Sequence, residues 1–297
     1  MPLVHTPYDG SKQPFTIGLE PLLARDWIEV DEHLVRDLNE KQRLIATRRD
    51  IVVREEADTR ASQTEVLNLL LAHLPVRFPN LYARDDDAMR ILPAQRVIAL
   101  TAAGDPPLVT AARLVQEDLC LMRRNENGWR LAAAVLCFPS GWSLAEKLGQ
   151  NLATIHAPIP GFAGRMDAVV TRIFDRLQVE APLLRFNWSL YGDGELHHPP
   201  DFEPAARFLR PADMKARVHI RIERQTLRLL PGAGDILFTI RTHAEPIAAL
   251  ARHPRRRELA LGLRAQLLGL DDAQAAYKGL THARGALAKV LANLAEG

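Results

Sequence analysis

His156 is the residue that first suggests chemistry. It follows Leu144, Leu148 and Leu152 at intervals of four residues, so one continuous helix from Ser143 would carry its imidazole at the edge of an apolar ridge. A histidine in that place suits an axial ligand for a flat, apolar cofactor such as haem. The commoner role of such a residue is that of a half-buried core or C-capping histidine. The spacing leaves both interpretations open.

The second candidate is the strand-like segment Arg217–Leu230. Its alternation of apolar residues changes parity between Ile222 and Leu227, close to Arg224 and Gln225. Either a bulge lies at this point, or Arg224 points into the same interior as Ile222.

A buried guanidinium at Arg224 would need an anion. Haem propionates or a phosphate would supply one. The alternatives are a structural ion pair, with Glu117 or Glu223 as possible partners, and a solvent-facing arginine at a bulge.

Two further groups could contribute to a site. Glu117 and Asp118 are adjacent carboxylates at the start of an apolar strand, where they could hold an alkylammonium ion or transfer protons. Solvated charges at a strand edge are the commoner case. Trp188 could form an aromatic wall, although a core tryptophan is the usual role.

Composition limits the possible partners and cofactors. The chain has 297 residues and a formal net charge of +2, which gives no electrostatic reason to expect a nucleic acid or a membrane as partner. No window approaches the length of a spanning helix, and no signal peptide is evident, so we expect a cytoplasmic protein. Only two cysteines are present, Cys120 and Cys137, too few to hold an iron–sulfur cluster with four thiolates.

The order of the predicted elements indicates an α+β fold in one domain, 1–297. Helices at both ends surround a central antiparallel sheet of hairpins. The predicted helices are Ser62–Leu74, Leu108–Val115, Ser143–His156, Glu258–Leu268 and Ala283–Leu294. The predicted strands are Leu119–Arg124, Trp129–Phe138, Arg217–Leu230 and Ile236–His243.

Several short motifs, taken in order, resemble the haem-dependent oxidative N-demethylase family over nearly the whole chain. They are Pro14–Leu19 with Trp27, Leu114–Cys120, Phe138–Leu144, Ile155–Pro160, Arg185–Trp188, Glu223–Leu227, Phe238–Arg241 and Tyr277–Leu280.

The resemblance implies a fold and a reaction. It implies a PAS-like sheet with helical N- and C-terminal embellishments, its core at about 110–245, and a bound haem b. The implied enzyme is a haem-dependent monooxygenase that uses dioxygen to oxidise a methyl group of a small alkylamine such as dimethylamine, with release of formaldehyde. Electrons would come from a separate reductase component that carries flavin and an iron–sulfur centre, in agreement with the cysteine count.

The resemblance also suggests roles for individual residues. His156 would be the axial ligand of the haem iron. Arg224, with Gln225 beside it, would bind the propionates. Glu117 and Asp118 would position the amine, and Trp188 would line the pocket.

Three other hypotheses remain open at this stage. One is a PAS-like haem or small-ligand sensor without catalysis. Another is a cofactor-free interaction protein, which predicts that Arg224 is exposed or internally paired and that no pocket lies beside His156. In the third, Cys137 replaces His156 as the haem ligand and supplies thiolate chemistry.

Overall fold

A computed structural model describes residues 3–101, 104–200 and 210–296, and for Arg165 it describes the backbone alone. Within that part of the chain, antiparallel strands form a seven-stranded sheet, in the order β1-β8-β9-β10-β6-β7-β2, and a separate three-stranded sheet, β3-β4-β5. The strands are β1 Glu20–Pro21, β2 Val53–Glu55, β3 Tyr82–Arg84, β4 Ala88–Ile91, β5 Arg96–Ala99, β6 Asp118–Asn125, β7 Gly128–Val135, β8 Leu183–Tyr191, β9 His219–Leu229 and β10 Ile236–Pro246.

Helices precede, interrupt and follow the large sheet, which confirms a mixed fold of helices and antiparallel strands. They are α1 Leu34–Thr47, α2 Arg49–Val52, α3 Arg60–Arg77, α4 Pro107–Ala112, α5 Leu144–Lys147, α6 Leu152–His156, α7 Arg165–Arg176, α8 Pro211–Arg217, α9 Arg256–Gly269, α10 Asp272–Tyr277 and α11 Arg284–Glu296. No helix in the described ranges combines the length and the apolar character that crossing a bilayer requires.

Strand β9 divides the site residues between the two faces of the large sheet. It pairs with β10 and β8 in unbroken register, from Ile236 opposite Leu229 to Pro246 opposite His219. Of the two alternatives at Arg224-Gln225, the bulge is therefore absent and Arg224 shares the face of Ile222. Alternate side chains therefore point to opposite faces. The front face carries Arg221, Glu223, Gln225 and Leu227, and the back face carries Ile220, Ile222, Arg224 and Thr226.

Different groups of apolar residues cover the two faces. On the back face, Ile220 and Ile222 join a core formed with α9 and α11, while Leu237 joins a core formed with α1, α3 and α4. On the front face, Leu227 packs in a third cluster with residues of β7 and α7. Burial on both faces explains the apolar runs in β6 and β7.

The single helix predicted from Ser143 to His156 is wrong. The Ser143 hydroxyl caps α5 as expected, but that helix ends at Lys147. Gly149 then adopts a left-handed φ of 77°, and the Asn151 side chain accepts a hydrogen bond from the Thr154 amide to begin α6. The ridge of leucines leading to His156 is therefore interrupted, although the helix does end at His156.

We expect Gly262→Ala to destabilise the protein, although alanine favours a helix more than glycine does. A Cβ at this position of α9 would lie 2.7 Å from the Tyr8 carbonyl oxygen and 2.8 Å from the Asp9 carbonyl carbon. Both are backbone atoms, so the N-terminal segment would have to move away from α9. Chemical denaturation should show a lower free energy of unfolding.

The matched control is Gly285→Ala in α11, where a Cβ would meet nothing within 4 Å. That change should leave stability unchanged or raise it by up to about 1 kcal/mol, since alanine favours a helix over glycine. Equal effects of the two changes would contradict the close approach at Gly262.

Candidate active site

The imidazole of His156 is held in an orientation that leaves one nitrogen available. In the last turn of α6, its Nδ1 lies 2.8 Å from the Leu152 carbonyl oxygen, and its ring stacks on Phe162 with 4.5 Å between centroids. Because a carbonyl only accepts hydrogen bonds, Nδ1 carries the proton and Nε2 keeps its lone pair. Nε2 makes no hydrogen bond with any described residue. This is the tautomer and orientation of a metal-binding histidine.

The surroundings of His156 keep it neutral. Burial lowers its pKa, the hydrogen bond to Leu152 opposes this effect, and the positive charges of Arg185 and Lys147 lower the pKa further. A neutral imidazole is the form that binds iron.

A polar cluster centred on Glu223 lies on the front face. Glu223 Oε2 is 2.9 Å from Gln225 Nε2 and 3.4 Å from Asn187 Nδ2, and its Oε1 is 3.8 Å from Arg221 Nε. Arg185 of β8 lies directly opposite Gln225 and so shares this face. We call Arg185, Asn187, Arg221, Glu223 and Gln225 the Glu223 cluster.

Arg185 belongs to this cluster, and its positive charge also lowers the pKa of His156. Its Nε is buried and has no hydrogen-bond partner, and burial lowers its pKa while Glu223 opposes that shift. A buried N–H without an acceptor is a group that an anionic ligand would satisfy. By residue type, an imidazole with a free Nε2 and an unpaired guanidinium are the groups that haem iron and a propionate require.

Arg224 lies on the other face and is internally paired. Its Nε is 3.1 Å from Glu29 Oε2, and its terminal nitrogens donate to the backbone carbonyls of Trp27 and Asp26. The ion pair therefore involves Glu29 rather than Glu117 or Glu223. Arg224 and His156 do not meet, whereas Gln225 is on the face of Arg185. The propionate role of Arg224 stays a prediction, and its pairing is what the cofactor-free hypothesis expects.

Glu117 and Asp118 are completely buried and bound to backbone. Glu117 accepts a hydrogen bond from the Glu29 amide, and Asp118 accepts bonds from the amides of Cys137 and Phe138. Burial raises the pKa of both carboxyls, more than their hydrogen bonds lower it. Their role in positioning an amine stays a prediction, but these contacts already account for their burial.

Trp188 lines a cavity of about 290 Å³ at the outer edge of β8. Arg185, Asn187 and Phe15 also line it, and the indole Nε1 donates to Gln266. Lys278 lies close by, with Nζ 4.8 Å from the centre of the Trp188 ring. The cavity therefore borders the Glu223 cluster through Arg185 and Asn187. Its volume suits a small molecule better than a macrocycle.

Lys278 should make stability depend on pH. Burial lowers its pKa from 10.5 to about 8, with Arg185 adding to the shift and Glu223 opposing it. Between pH 8 and 10.5 the unfolded chain therefore binds more protons at this lysine, and the free energy of unfolding should rise with pH across that window. Urea unfolding of wild type and Lys278→Met at several pH values measures the difference.

In that comparison, Lys278→Met should lose the rise in stability that wild type shows. The exposed Lys289 of α11 provides the control, because Lys289→Met should keep it. Parallel pH profiles for wild type and Lys278→Met would contradict the lowered pKa.

The two thiols are unsuited to ligation. Cys120 and Cys137 are both buried, and burial raises the pKa of each thiol well above its usual range, with Asp118 adding to the shift. They remain protonated at neutral pH, so the thiolate alternative has no support in their surroundings.

Sequence reasoning missed Arg185 and Glu223 as site residues, although both stand in motifs that carry the resemblance. The signal that could have found them is the row of polar residues, Arg185, Asn187 and Ser189, at alternate positions of an otherwise apolar strand. A comparison with known families concerns the chain as a whole. The family model described as haem-dependent oxidative N-demethylase, alpha subunit-like, matches residues 18–288.

Proposed function

Because this chain belongs to the haem-dependent oxidative N-demethylase, alpha subunit-like family, we propose that it binds haem b through His156 and demethylates a small alkylamine such as dimethylamine. When bound, the haem would supply the activation of dioxygen. For dimethylamine, the balanced reaction takes one dioxygen, two electrons and two protons to methylamine, formaldehyde and water. A separate flavin and iron–sulfur reductase would provide the electrons.

The observation that carries this proposal is that His156 and Arg185 each present a nitrogen without a partner, near enough for the charge of Arg185 to lower the pKa of His156. The neutral imidazole offers a free Nε2, and the buried Arg185 Nε lacks an acceptor. Iron and a propionate would satisfy these two groups together. The ring of Phe162, stacked on the imidazole, would hold it in orientation.

We further propose that Glu223 holds the substrate ammonium. Its carboxylate is on the same face as Arg185, and its side chain keeps 12% of its surface exposed. A carboxylate that is partly desolvated but still accessible attracts a small cation strongly. Glu117 and Asp118, in contrast, have no accessible surface. Trp188 and Asn187 would form a neighbouring wall of the path by which the amine enters.

The large sheet is consistent with a PAS-like core at about 110–245. Its central strands β9, β10, β6 and β7 all fall in or close to that range and form antiparallel neighbours. We propose that this sheet positions the haem on its front face, with α5, α6 and α7 closing over it.

The decisive experiment measures haem and product separately. The protein should be expressed with a haem precursor, purified, and examined for a Soret band. It is then supplied with dimethylamine, dioxygen and a surrogate flavin reductase, and formaldehyde is quantified. We expect a Soret band, and formaldehyde in proportion to the electrons consumed. Glu223→Gln should retain the haem and raise the KM for the amine.

The internal pairing of Arg224 favours one competing function, a cofactor-free interaction protein. If no Soret band appears under full haem supply, the result would support the cofactor-free hypothesis and overturn the proposal. A Soret band without formaldehyde, across a panel of secondary and tertiary methylamines, would instead favour a haem sensor.

A further inference from the structure

Three side chains of types that bind metals lie close together on the back face of the large sheet. The cluster contains His5 of the N-terminal segment, Glu29 of the loop before α1, and His243 of β10. One ligand atom from each lies within 4.8 Å of the other two. His5 Nε2 is 2.9 Å from both carboxylate oxygens of Glu29, and His243 Nε2 is 3.5 Å from Oε1. Among the described residues, no other three side chains of His, Cys, Asp or Glu bring their ligand atoms this close together.

His243 is the residue that points to a ligand. Its Nε2 is buried and has no hydrogen-bond partner, although Glu29 Oε1 is near. On the other side of the ring, Nδ1 is 3.5 Å from Asp31 Oδ2. A carboxylate behind one ring nitrogen and an empty lone pair on the other is the arrangement that orients a metal-binding histidine.

Glu29 is held in place from outside the cluster. Arg224 Nε is 3.1 Å from Oε2, so this oxygen is engaged and Oε1 faces the two imidazoles. Arg241 holds Asp31 similarly, with Nη2 at 2.5 Å from Oδ2. The two arginines thus balance the carboxylates and fix their orientation without filling the space between the imidazoles.

The cluster also borders empty space. A small cavity of about 40 Å³ is lined by all three residues, together with Asp31, His33 and Glu245. A cavity needs roughly 10–15 Å³ to hold one water molecule, so this one admits a metal-bound water.

We propose that His5, Glu29 and His243 bind a divalent transition metal of the zinc class, with the fourth coordination position open to the small cavity. Two histidines and one carboxylate form a ligand set that zinc takes with bonds of about 2.0–2.2 Å. Such bonds bring ligand atoms to about 3.3 Å from each other, close to the separations in the cluster. The site joins the N-terminal segment to the back face, and it is independent of haem on the front face.

The test is Zn²⁺ binding to the full, tag-free chain after treatment with a chelator. Calorimetry and elemental analysis should give one zinc per chain, distinct from any haem iron because the element differs. Thermal unfolding should shift to higher temperature with added Zn²⁺, since a ligand of the folded state stabilises it. No zinc uptake by well-folded wild type would overturn the proposal.

Three variants locate the site. His5→Ala and Glu29→Gln should each weaken Zn²⁺ binding at least about tenfold, and Asp31→Asn should weaken it by about 10–100-fold as an outer partner. His5 lies on the N-terminal segment, so its loss leaves the buried core intact. His282→Ala removes an exposed histidine elsewhere and should bind zinc like wild type. Unchanged affinity in both His5→Ala and Glu29→Gln would place the metal elsewhere and reject the site.

Discussion

His156→Ala should yield a folded protein that lacks the Soret band of wild type. The change removes the free Nε2 of His156, and the remaining front-face contacts of a haem would be apolar or limited to a propionate. Haem retained after purification should fall at least about tenfold, because losing even an outer partner of a metal ligand has an effect of that size. Absorbance of equal amounts of protein measures it.

Two further measurements distinguish the loss of a haem ligand from structural damage. Added imidazole should restore a Soret band to His156→Ala by occupying the vacated space, which a merely structural histidine would not permit. The exposed His282→Ala should keep full haem content. A normal Soret band in His156→Ala, without imidazole, would reject His156 as the ligand.

Arg241→Met should cost about 3–5 kcal/mol of stability, the usual effect of removing one partner from a buried ion pair. Arg241 is 1% exposed, and its guanidinium is 2.5 Å from Asp31 and 3.1 Å from Asp37. Methionine fills a similar volume but leaves Asp31 without its arginine and Asp37 with Arg36 alone. Urea unfolding at neutral pH should show a lower midpoint.

The matched control is Arg43→Met in α1. Arg43 pairs with Glu40 at 2.5 Å, but on the exposed surface, so its removal should leave the free energy of unfolding nearly unchanged. A loss under about 1 kcal/mol in Arg241→Met would show that Asp31 and Asp37 find other partners.

Local patterns predicted four strands of the large sheet, β6, β7, β9 and β10, and the helices α3, α4, α9 and α11. The apolar spacing of Leu67, Leu70, Leu71 and Leu74 gave α3, and the Asn125–Gly128 turn gave the hairpin of β6 and β7. The error at His156 arose from Gly149 and Asn151, two residues that a ridge of leucines conceals. Strand β8 was missed although Arg185, Asn187 and Ser189 alternate with apolar residues along it.

The site was harder to predict because its partners are distant in sequence. Parity showed that Arg224 could share the interior of Ile222, yet nothing local identified Glu29, which reaches it through tertiary folding alone. Parity also separates Arg224 from Gln225, since neighbours in a strand point to opposite faces. The prediction that both residues bind one haem therefore conflicted with the geometry of a β-strand. Arg185 and Glu223 became a pair only when β8 was aligned beside β9.

The outer edge of β8 has a consequence for self-association. β1 covers only Leu183 and Leu184, and from Arg185 onward no other described strand pairs with that side. Such an edge can template the addition of a strand from another copy. Here the Lys278 ammonium donates to the Trp188 carbonyl, which places a positive charge and a side chain on the open backbone. We therefore expect Lys278 to oppose the pairing of this edge with a strand of another copy, beside the cavity that Trp188 lines.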